Sequence, residues 1–374
     1  MANTREEYMK EKISDIAVVI GFIFIIYGFM LANLFLPDAD ISYSERRELA
    51  KFPEFTLSRL FSGEWLDKCE DYFLDQFVFR DELRGMKAFT GYYLLLQKDN
   101  NGIYVIDGII YKTEYPLNEK SVLNAASKLN EVYDKYLKGK KVGYSIIPDK
   151  NYFTASKHWY LSLDYEKMLQ IMNQNVKSMQ YIDIFPCLEL EDYYKTDIHW
   201  RQDKILDVAD MLVEKMGGDI TAGEPYVEKS LYPFYGSYYG QAALKLKPDS
   251  IVYLTNDILD NAVVYDHIDK TYSKVYVEDR FGTVDSYDFF LSGAKSIISI
   301  TNPAHIAKKE LIVFCDSFGS SIAPLLLKSY SKVTLVDLRY MHTDLLGDYI
   351  DFSGDCDVLF LYNTLILNNS YMLK

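Results

Sequence analysis

The first strong hydrophobic pattern in the chain is a run of 21 residues, 16–36, that contains no charged side chain and ends at Pro37-Asp38. About 20 apolar residues suffice for a helix to cross the hydrocarbon core of a bilayer. A cleavable signal peptide has a shorter apolar region of ~7–15 residues and a small-residue cleavage site, and neither is evident here. The run therefore predicts an uncleaved transmembrane helix, although a buried helix of a soluble protein would have a similar composition.

Basic residues on the two sides of this run bear on its orientation. Three precede it and three follow within 15 residues, so the count alone does not decide. The preceding set lies nearer the membrane, and a short N-terminal tail is the natural cytoplasmic end. We therefore predict a cytoplasmic tail at 1–15, an anchor at 16–36, a juxtamembrane stalk at 37–60 and an extracytoplasmic catalytic domain at 61–374. The residues compared are Arg5, Lys10, Lys12, Arg46, Arg47 and Lys51.

The rest of the chain alternates helical periodicity with short, continuous apolar runs. Helical spacing occupies 65–86, 122–137 and 204–216, and a short hairpin is expected at 102–111. Continuous apolar runs lie at 142–147, 311–315, 333–336 and 358–362. Strands that are apolar on both faces need helices to cover them, so we predict an α/β fold with a mostly parallel sheet. The Tyr-rich stretch 217–292 has no clear period and is expected to form loops or an insertion on the sheet.

Charge and cysteine content exclude several classes of function. The 374 residues include 54 acidic and 40 basic side chains, for a net charge of −14, whereas nucleic acids are bound by basic surfaces. The four cysteines lie far apart and show neither a disulfide framework nor a zinc-binding spacing. We therefore expect no nucleic-acid partner, no metal and no cofactor. The 33 tyrosines fit either a background bias or an aromatic cleft for sugars.

Ser317 is the first candidate for chemistry. It follows the apolar run 311–315 in the segment Cys315-Asp316-Ser317-Phe318-Gly319. In an open parallel sheet, ligands bind at the carboxyl ends of the strands, and a following helix offers backbone N–H groups to an oxyanion. A serine in this position is also a common helix N-cap, so this segment alone leaves both interpretations open.

A second segment, Thr196-Asp197-Ile198-His199-Trp200, supplies what a nucleophilic serine needs. A serine hydroxyl reacts once an imidazole accepts its proton and an acceptor on the other ring nitrogen orients that imidazole. Asp197, two residues before His199, is able to fill that second role where the backbone turns. The remaining histidines are weaker candidates because of their surroundings in the sequence; they are His158, His267, His305 and His342.

These segments are part of an ordered series that resembles a known family. The series is SERRELAKFP (44–53), YFLDQFVFRD (72–81), PDK (148–150), TDIHW (196–200), FYGSYYG (234–240), CDSFG (315–319) and VDLRY (336–340). In this order they are similar to the SGNH-hydrolase-like proteins of polysaccharide O-acetylation, which include the alginate O-acetyltransferase (AlgJ/AlgX-like) proteins and the DHHW proteins of Gram-positive bacteria.

The resemblance implies an SGNH-hydrolase-like, three-layer α/β/α fold and a role for each of three residues. Ser317 would be the nucleophile, His199 the general base and Asp197 the acid that orients it. The order Asp, His, Ser is permuted relative to most SGNH hydrolases. The chain also has Ile198 where the DHHW motif has a second histidine, and we do not expect that position to be catalytic.

Further candidates for oxyanion or substrate binding follow from strand ends and from the matching segments. Asn363 follows the run 358–362 and would either donate its amide to an oxyanion or cap its own turn. Because only 11 residues follow Asn363, we expect the main domain itself to recognise the sugar. The other candidates are Arg339, Tyr340, Trp200, Gly236, Ser237, Tyr238 and Tyr239.

The resulting expectation is a membrane-anchored, extracytoplasmic O-acetyltransferase acting on an exopolysaccharide or cell-wall glycan. A membrane-bound O-acyltransferase partner would supply acetyl groups, which would pass through an acetyl-Ser317 intermediate to a sugar hydroxyl of the polysaccharide acceptor. Two alternatives stay open: a carbohydrate acetyl esterase with the same three residues, and a non-catalytic scaffold or glycan-binding component of a polysaccharide modification complex.

Overall fold

The computed structural model describes residues 2–43, 45–220, 225–301 and 309–374, with side chains from residue 12 onward. The chain divides into two compact units, Met1–Thr90 and Gly91–Lys374, which are considered separately. Met1 of the predicted tail, Ser44 of the predicted stalk, residues 221–224 of the Tyr-rich segment and His305 lie outside the described residues.

The first unit is dominated by one long helix. Its helices are α1 (Ala2–Phe35), α2 (Leu57–Ser62), α3 (Glu64–Asp75) and α4 (Arg80–Phe89), and its strands are β1 (Ile41–Ser42) and β2 (Arg47–Glu48). Within α1, the segment Lys12–Phe35 is long and apolar enough to cross a membrane by length and composition. The helical pattern predicted at 65–86 is interrupted between α3 and α4, where Phe79 adopts a left-handed backbone with φ of 58°.

The second unit contains a large mostly parallel sheet. Its strands are β3 (Ile103–Ile106), β4 (Ile109–Lys112), β5 (Val142–Ile147), β6 (Gln180–Tyr181), β7 (Val227–Phe234), β8 (Asp249–Thr255), β9 (Val263–Asp266), β10 (Thr271–Ser273), β11 (Ile297–Thr301), β12 (Glu310–Cys315), β13 (Lys332–Val336) and β14 (Cys356–Asn363). Eight of them form one sheet in the order β10-β9-β11-β13-β12-β14-β5-β6. The neighbours from β13 to β6 run parallel, and β11, β9 and β10 extend the sheet in antiparallel pairs.

Helices cover both faces of this sheet. The helices of this unit are α5 (Glu119–Val132), α6 (Asn151–Thr154), α7 (Tyr165–Asn175), α8 (Leu206–Lys215), α9 (Ser237–Ala242), α10 (Asp257–Asn261), α11 (Gly319–Leu326), α12 (Leu346–Tyr349) and α13 (Thr364–Asn368). Alternate residues of β14 point to opposite sides. Leu359 and Leu361 pack in a core with α8 and α11, whereas Val358 and Phe360 pack in a second core with α5 and α7. The predicted three-layer α/β/α architecture is therefore confirmed.

Two local expectations have different outcomes. The hairpin expected at 102–111 is present as β3 and β4, joined by Asp107 and Gly108, both in the left-handed region that such a tight turn requires. The segment 217–292, for which we expected loops or an insertion on the sheet, contains strands as well as loops. It contributes β9 and β10 to the edge of the main sheet, and β7 and β8 pair as a separate hairpin. Mixed burial along these strands conceals their period, because β7 is mostly exposed.

Candidate active site

Ser317 lies in the tight turn between the end of β12 and the start of α11. Its hydroxyl Oγ is 2.7 Å from His199 Nε2. The N-cap position of α11 is Phe318, which has no capping side chain, so the alternative of Ser317 as the helix cap is not the arrangement found. A side chain at Gly319 would overlap the Cys315 side chain, which explains the need for glycine where the helix turns back over the strand end.

His199 connects the serine to a carboxylate. Its Nδ1 lies 2.5 Å from Asp197 Oδ1, which also accepts the backbone N–H of His199 at 2.9 Å. A carboxylate beside Nδ1 favours the tautomer that carries its proton there, and this leaves Nε2 free to accept the Ser317 hydroxyl proton. Two segments separated by 118 residues in sequence thus form one chain of contacts.

Asp197 is fully buried, and both of its carboxylate oxygens accept hydrogen bonds. While Oδ1 faces His199, Oδ2 accepts the backbone N–H of Ser237 at 2.5 Å. A Cβ on Gly236 would overlap Asp197 Cβ and the Thr196 carbonyl oxygen, so the two backbones approach as closely as glycine permits. Gly236 and Ser237, which we expected to bind substrate, are therefore placed to support Asp197.

Asp249, at the start of β8, fixes the segment before Asp197, a role that sequence reasoning missed. Its carboxylate accepts the backbone N–H of Lys195 at 3.2 Å, and the N–H and hydroxyl of Thr196, each at 2.7 Å. The Thr196 hydroxyl in turn accepts the N–H of Gly236 at 3.1 Å. No short motif marks Asp249, because the contact depends on the hairpin β7–β8 folding back over this segment.

Lys150, from the PDK segment, holds the same loop from the other side. Its ammonium donates to the carbonyl oxygens of Tyr194 at 3.0 Å and Lys195 at 3.3 Å. It also lies 5.1 Å from the centre of the Tyr238 ring, which it faces as a cation–π partner. Burial lowers the pKa of Lys150 to about 7, even though the charge of Asp197 acts in the opposite direction.

Two aromatic rings enclose His199. The Tyr287 ring stacks on the imidazole with a centroid distance of 3.8 Å, and the Phe318 ring lies 4.8 Å away. The Tyr287 hydroxyl donates to Ser321 Oγ at 2.9 Å, and burial raises the pKa of Tyr287 well above its usual value. Sequence reasoning missed Tyr287 because nothing local distinguishes it among the tyrosines of its segment.

Trp200 is not placed to recognise a sugar, and this prediction is wrong. The indole is fully buried, and its Nε1–H points to the Phe318 carbonyl oxygen at 3.2 Å and to Ser321 Oγ at 2.9 Å. Trp200 therefore attaches the His199 segment to the first turn of α11. The large apolar ring is more stable in the core, where its one polar group finds acceptors.

Asn363 is engaged by its own turn and by the neighbouring strand. Its side-chain oxygen accepts the N–H of Leu365 at 2.9 Å, and its amide donates to the Ile147 carbonyl oxygen at 3.2 Å. The backbone N–H of Asn363 donates to Asp316, a buried carboxyl whose pKa burial raises. The structure thus favours the capping interpretation over an oxyanion role.

The other candidates surround the strand ends without a hydrogen bond to the three residues in the described contacts. Arg339 Nε and Nη2 donate to the Asp337 carboxylate at 2.9 and 2.6 Å, and the Arg339 guanidinium lies 5.4 Å from the exposed Tyr340 ring. Tyr239 is half-buried, with its ring 4.8 Å from that of Tyr235. Roles for these residues in sugar binding stay predictions. Within the described ranges, no group of three or more His, Cys, Asp or Glu side chains is arranged to hold a metal ion.

The site lies in a segment that is similar to a known protein family. The model of the family described as "DHHW protein" matches residues 161–336, a range that includes Asp197, His199 and Ser317. The resemblance predicted from the ordered motifs is therefore confirmed. Among curated proteins, no sequence matches the chain.

Solved structures of two proteins share this fold with TM-scores above 0.5. A DHHW family protein from Eubacterium siraeum has a TM-score of 0.60 and 21% identity, over 74% of this chain and 95% of that one. Bacillus cereus PatB1 has a TM-score of 0.57 and 18% identity, over 72% of this chain and 97% of that one. PatB1 also matches in a form with a sulfonyl adduct, with a TM-score of 0.54 and 17% identity, over 71% and 95% of the two chains.

The O-acetyltransferase domain of Pseudomonas putida AlgJ matches more distantly. Its TM-score is 0.40 and its identity 13%, over 72% of this chain and 93% of that domain.

Proposed function

We propose that this protein is an O-acetyltransferase that modifies a cell-envelope polysaccharide through an acetyl-Ser317 intermediate. The observation that carries the proposal is the continuous contact from Asp197 through His199 to Ser317, with 2.5 Å at Nδ1 and 2.7 Å at Nε2 of the imidazole. A hydroxyl in line with an oriented imidazole is the arrangement of acyl-transfer enzymes on several unrelated folds.

In the first half of the reaction, His199 Nε2 takes the Ser317 proton while Oγ attacks the carbonyl carbon of an acetyl donor. Asp197 stabilises the imidazolium that forms, because its buried carboxylate is held by the backbone N–H groups of His199 and Ser237. The tetrahedral intermediate then expels the donor's leaving group, which receives the proton from the imidazolium. We assign the backbone N–H of Ser317 as one donor to the oxyanion.

In the second half, a sugar hydroxyl takes the place of the leaving group. His199 removes its proton as the sugar oxygen attacks the acetyl-serine carbonyl, and the collapse of the intermediate returns that proton to Ser317. The products are an O-acetylated sugar and the free enzyme. If water enters instead, acetate is released, so the esterase alternative uses the same three residues and differs only in the acceptor.

Two observations support the proposal: the candidate membrane span and the sulfonyl adduct of PatB1. With Lys12–Phe35 in a membrane, the site is tethered beside the envelope glycans, and a membrane-bound O-acyltransferase is the donor-supplying partner we propose. PatB1, which shares the fold, has been solved with a sulfonyl adduct. We extend that reactivity to Ser317, which is half-buried and within reach of small reagents.

The proposal is tested with the full chain in nanodiscs and an activated acetyl ester. We expect Ser317→Ala to abolish acetate release and mass spectrometry to find an acetyl group on Ser317 in the unmodified protein. Ser320→Ala, three residues along on the same turn, is the matched control and should keep full activity. Equal acetate release by Ser317→Ala would overturn the assignment of Ser317 as the nucleophile. Mass spectrometry of the products formed in the presence of oligosaccharides distinguishes acetyl transfer from hydrolysis.

A further inference from the structure

The helix α4 in the first unit exposes a row of large apolar side chains. Phe79 directly precedes α4, whereas Leu83, Met86 and Phe89 recur every three residues within it and lie along one side of the helix. That side faces outward, with exposed fractions of 60%, 38%, 63% and 53% respectively. Apolar side chains on the exposed stripe of a helix indicate a surface that something other than water covers.

Two arginines of α4 face inward, where they have acidic partners. Arg80 and Arg84 reach the Glu45 carboxylate at 2.9 and 3.3 Å, and their side chains are 24% and 27% exposed. Arg47 contacts the same Glu45. Its Nη1 and Nη2 also donate bidentate hydrogen bonds to the Asp75 carboxylate at 2.7 and 2.5 Å. The hydrogen bond from Arg47 lowers the pKa of Asp75 to about 2, so this cluster stays ionised.

The start of α4 is attached to the apolar helix α1. The Phe77 ring stacks on the Phe29 ring at a centroid distance of 5.4 Å, and the backbone N–H of Val78 donates to Asn33 Oδ1 at 2.8 Å. At 1.5 Å per residue, Phe29 lies about 9 Å before the end of α1 at Phe35. The apolar segment of 24 residues is about 36 Å long, against a hydrocarbon core of about 30 Å. A centred span therefore places Phe29 about 6 Å inside the core.

We propose that α4 lies in the outer leaflet beside the anchor, with Phe79, Leu83, Met86 and Phe89 in contact with lipid acyl chains and its arginine face turned towards Glu45. The proposal rests on α1 crossing the membrane and goes beyond the acetyltransferase function, because no step of it involves Ser317. The catalytic unit would then be joined to the bilayer by an embedded helix as well as by the span.

The net charge of residues 37–90 indicates whether anionic lipids are needed for this contact. Residues 37–90 contain 12 acidic and 8 basic residues, so attraction to anionic head groups does not hold this surface in place. Burial of apolar area is the remaining driving force. Contact should therefore occur in neutral phosphatidylcholine, and anionic lipid should not increase it.

The first test uses the unmodified full chain in phosphatidylcholine nanodiscs that contain a diazirine in the acyl chain. After illumination, we expect lipid adducts on peptides containing Leu83 and Met86 as well as on those from α1. Adducts on α1 alone would overturn the proposal. Activity on an acetyl ester is read in the same sample, so failure of the acetyltransferase proposal leaves the labelling result unaffected.

A second test measures depth with bromine-bearing phosphatidylcholine, which quenches tryptophan on contact. In a Trp65→Phe, Trp159→Phe background, Trp200 is fully buried and serves as the internal reference. We expect bromine on the acyl chain to reduce emission of Leu83→Trp and Met86→Trp roughly twofold, as for residues in the acyl region. Asp81→Trp, on the opposite side of α4, is the matched control and should change little. Equal quenching at Leu83→Trp and Asp81→Trp, or none at either, would contradict the placement.

Discussion

The imidazole of His199 lies face to face with the ring of Tyr287, with centroids 3.8 Å apart and an angle of 4° between the planes. The opposite end of Tyr287 is fixed by its hydroxyl, which donates to Ser321 Oγ on α11, the helix that follows Ser317. Tyr287 therefore links His199 to the helix that follows Ser317 through one rigid side chain. This contact makes Tyr287 a positioning residue for His199.

Tyr287 offers two substitutions that separate stacking from hydrogen bonding. Tyr287→Phe keeps the stacked ring and should reduce kcat/KM for an acetyl ester by less than about tenfold, whereas Tyr287→Ala should reduce it by about 100-fold because a displaced imidazole loses its alignment. Steady-state kinetics measure both, and thermal unfolding shows whether each variant is folded. Equal losses in the two variants would mean that stacking contributes nothing to positioning.

Asp197→Asn tests the orientation of the base. An amide beside Nδ1 supports the wrong tautomer, so kcat should fall by about 10³-fold or more while the fold is kept. The rate of serine modification by a sulfonyl fluoride should fall in parallel. Asp351→Asn, on an exposed loop, is the control and should leave both rates unchanged. Unchanged modification in Asp197→Asn would argue against His199 as the base that activates Ser317.

Gly236→Ala tests the close approach of α9 to the Asp197 segment. The backbone of Gly236, with φ of −76°, is one that alanine also adopts, so any effect comes from overlap with Asp197 and Thr196. We expect a loss of about 1–3 kcal/mol in the free energy of unfolding, together with lower activity. Gly354→Ala is the control, because a Cβ there has no neighbour within 4 Å. Chemical denaturation measures both variants.

Lys150 predicts a pH dependence of stability. Below about pH 7 both the folded and the unfolded protein carry the proton on Lys150. Between its folded pKa of about 7 and the ordinary lysine value of about 10.4, only the unfolded chain binds it, so stability should rise with pH over this range. In Lys150→Met this rise should be lost, and kcat should drop by about tenfold because the Tyr194 and Lys195 carbonyl groups lose their donor. Unfolding curves at several pH values measure this pH dependence of stability in the unmodified protein and in Lys150→Met.

Trp200→Phe distinguishes a core role from sugar binding. Loss of the indole N–H removes one donor from the Phe318 carbonyl and the Ser321 hydroxyl, at a cost of about 1–3 kcal/mol in stability. The KM for a sugar acceptor should stay the same. Trp159→Phe, on an 86% exposed side chain, is the control and should shift stability by less than about 0.5 kcal/mol. A raised acceptor KM with unchanged stability would restore the sugar-binding interpretation.

Several features of this protein follow from its sequence because the patterns that carry them are local. The apolar run in α1 predicts a candidate span by length alone, and the continuous apolar runs at β5, β12, β13 and β14 predict a sheet buried on both faces. The motif around Asp197 and His199, and the serine after β12, are recognisable because their spacing is short. The order of these motifs along the chain then indicates the family that the chain resembles.

Tertiary structure decided which residues meet and which way each one faces. Burial of Trp200, the stacking of Tyr287 on His199 and the role of Gly236 depend on segments from distant parts of the chain, and no short-range pattern encodes such contacts. Asn363 lies at the strand end that the sequence predicts. The direction of its side chain is determined by its hydrogen bonds with Leu365 and Ile147. Helix α4 is a further example: its periodicity can be read from the sequence, but its arginines face inward because they form ion pairs with Glu45.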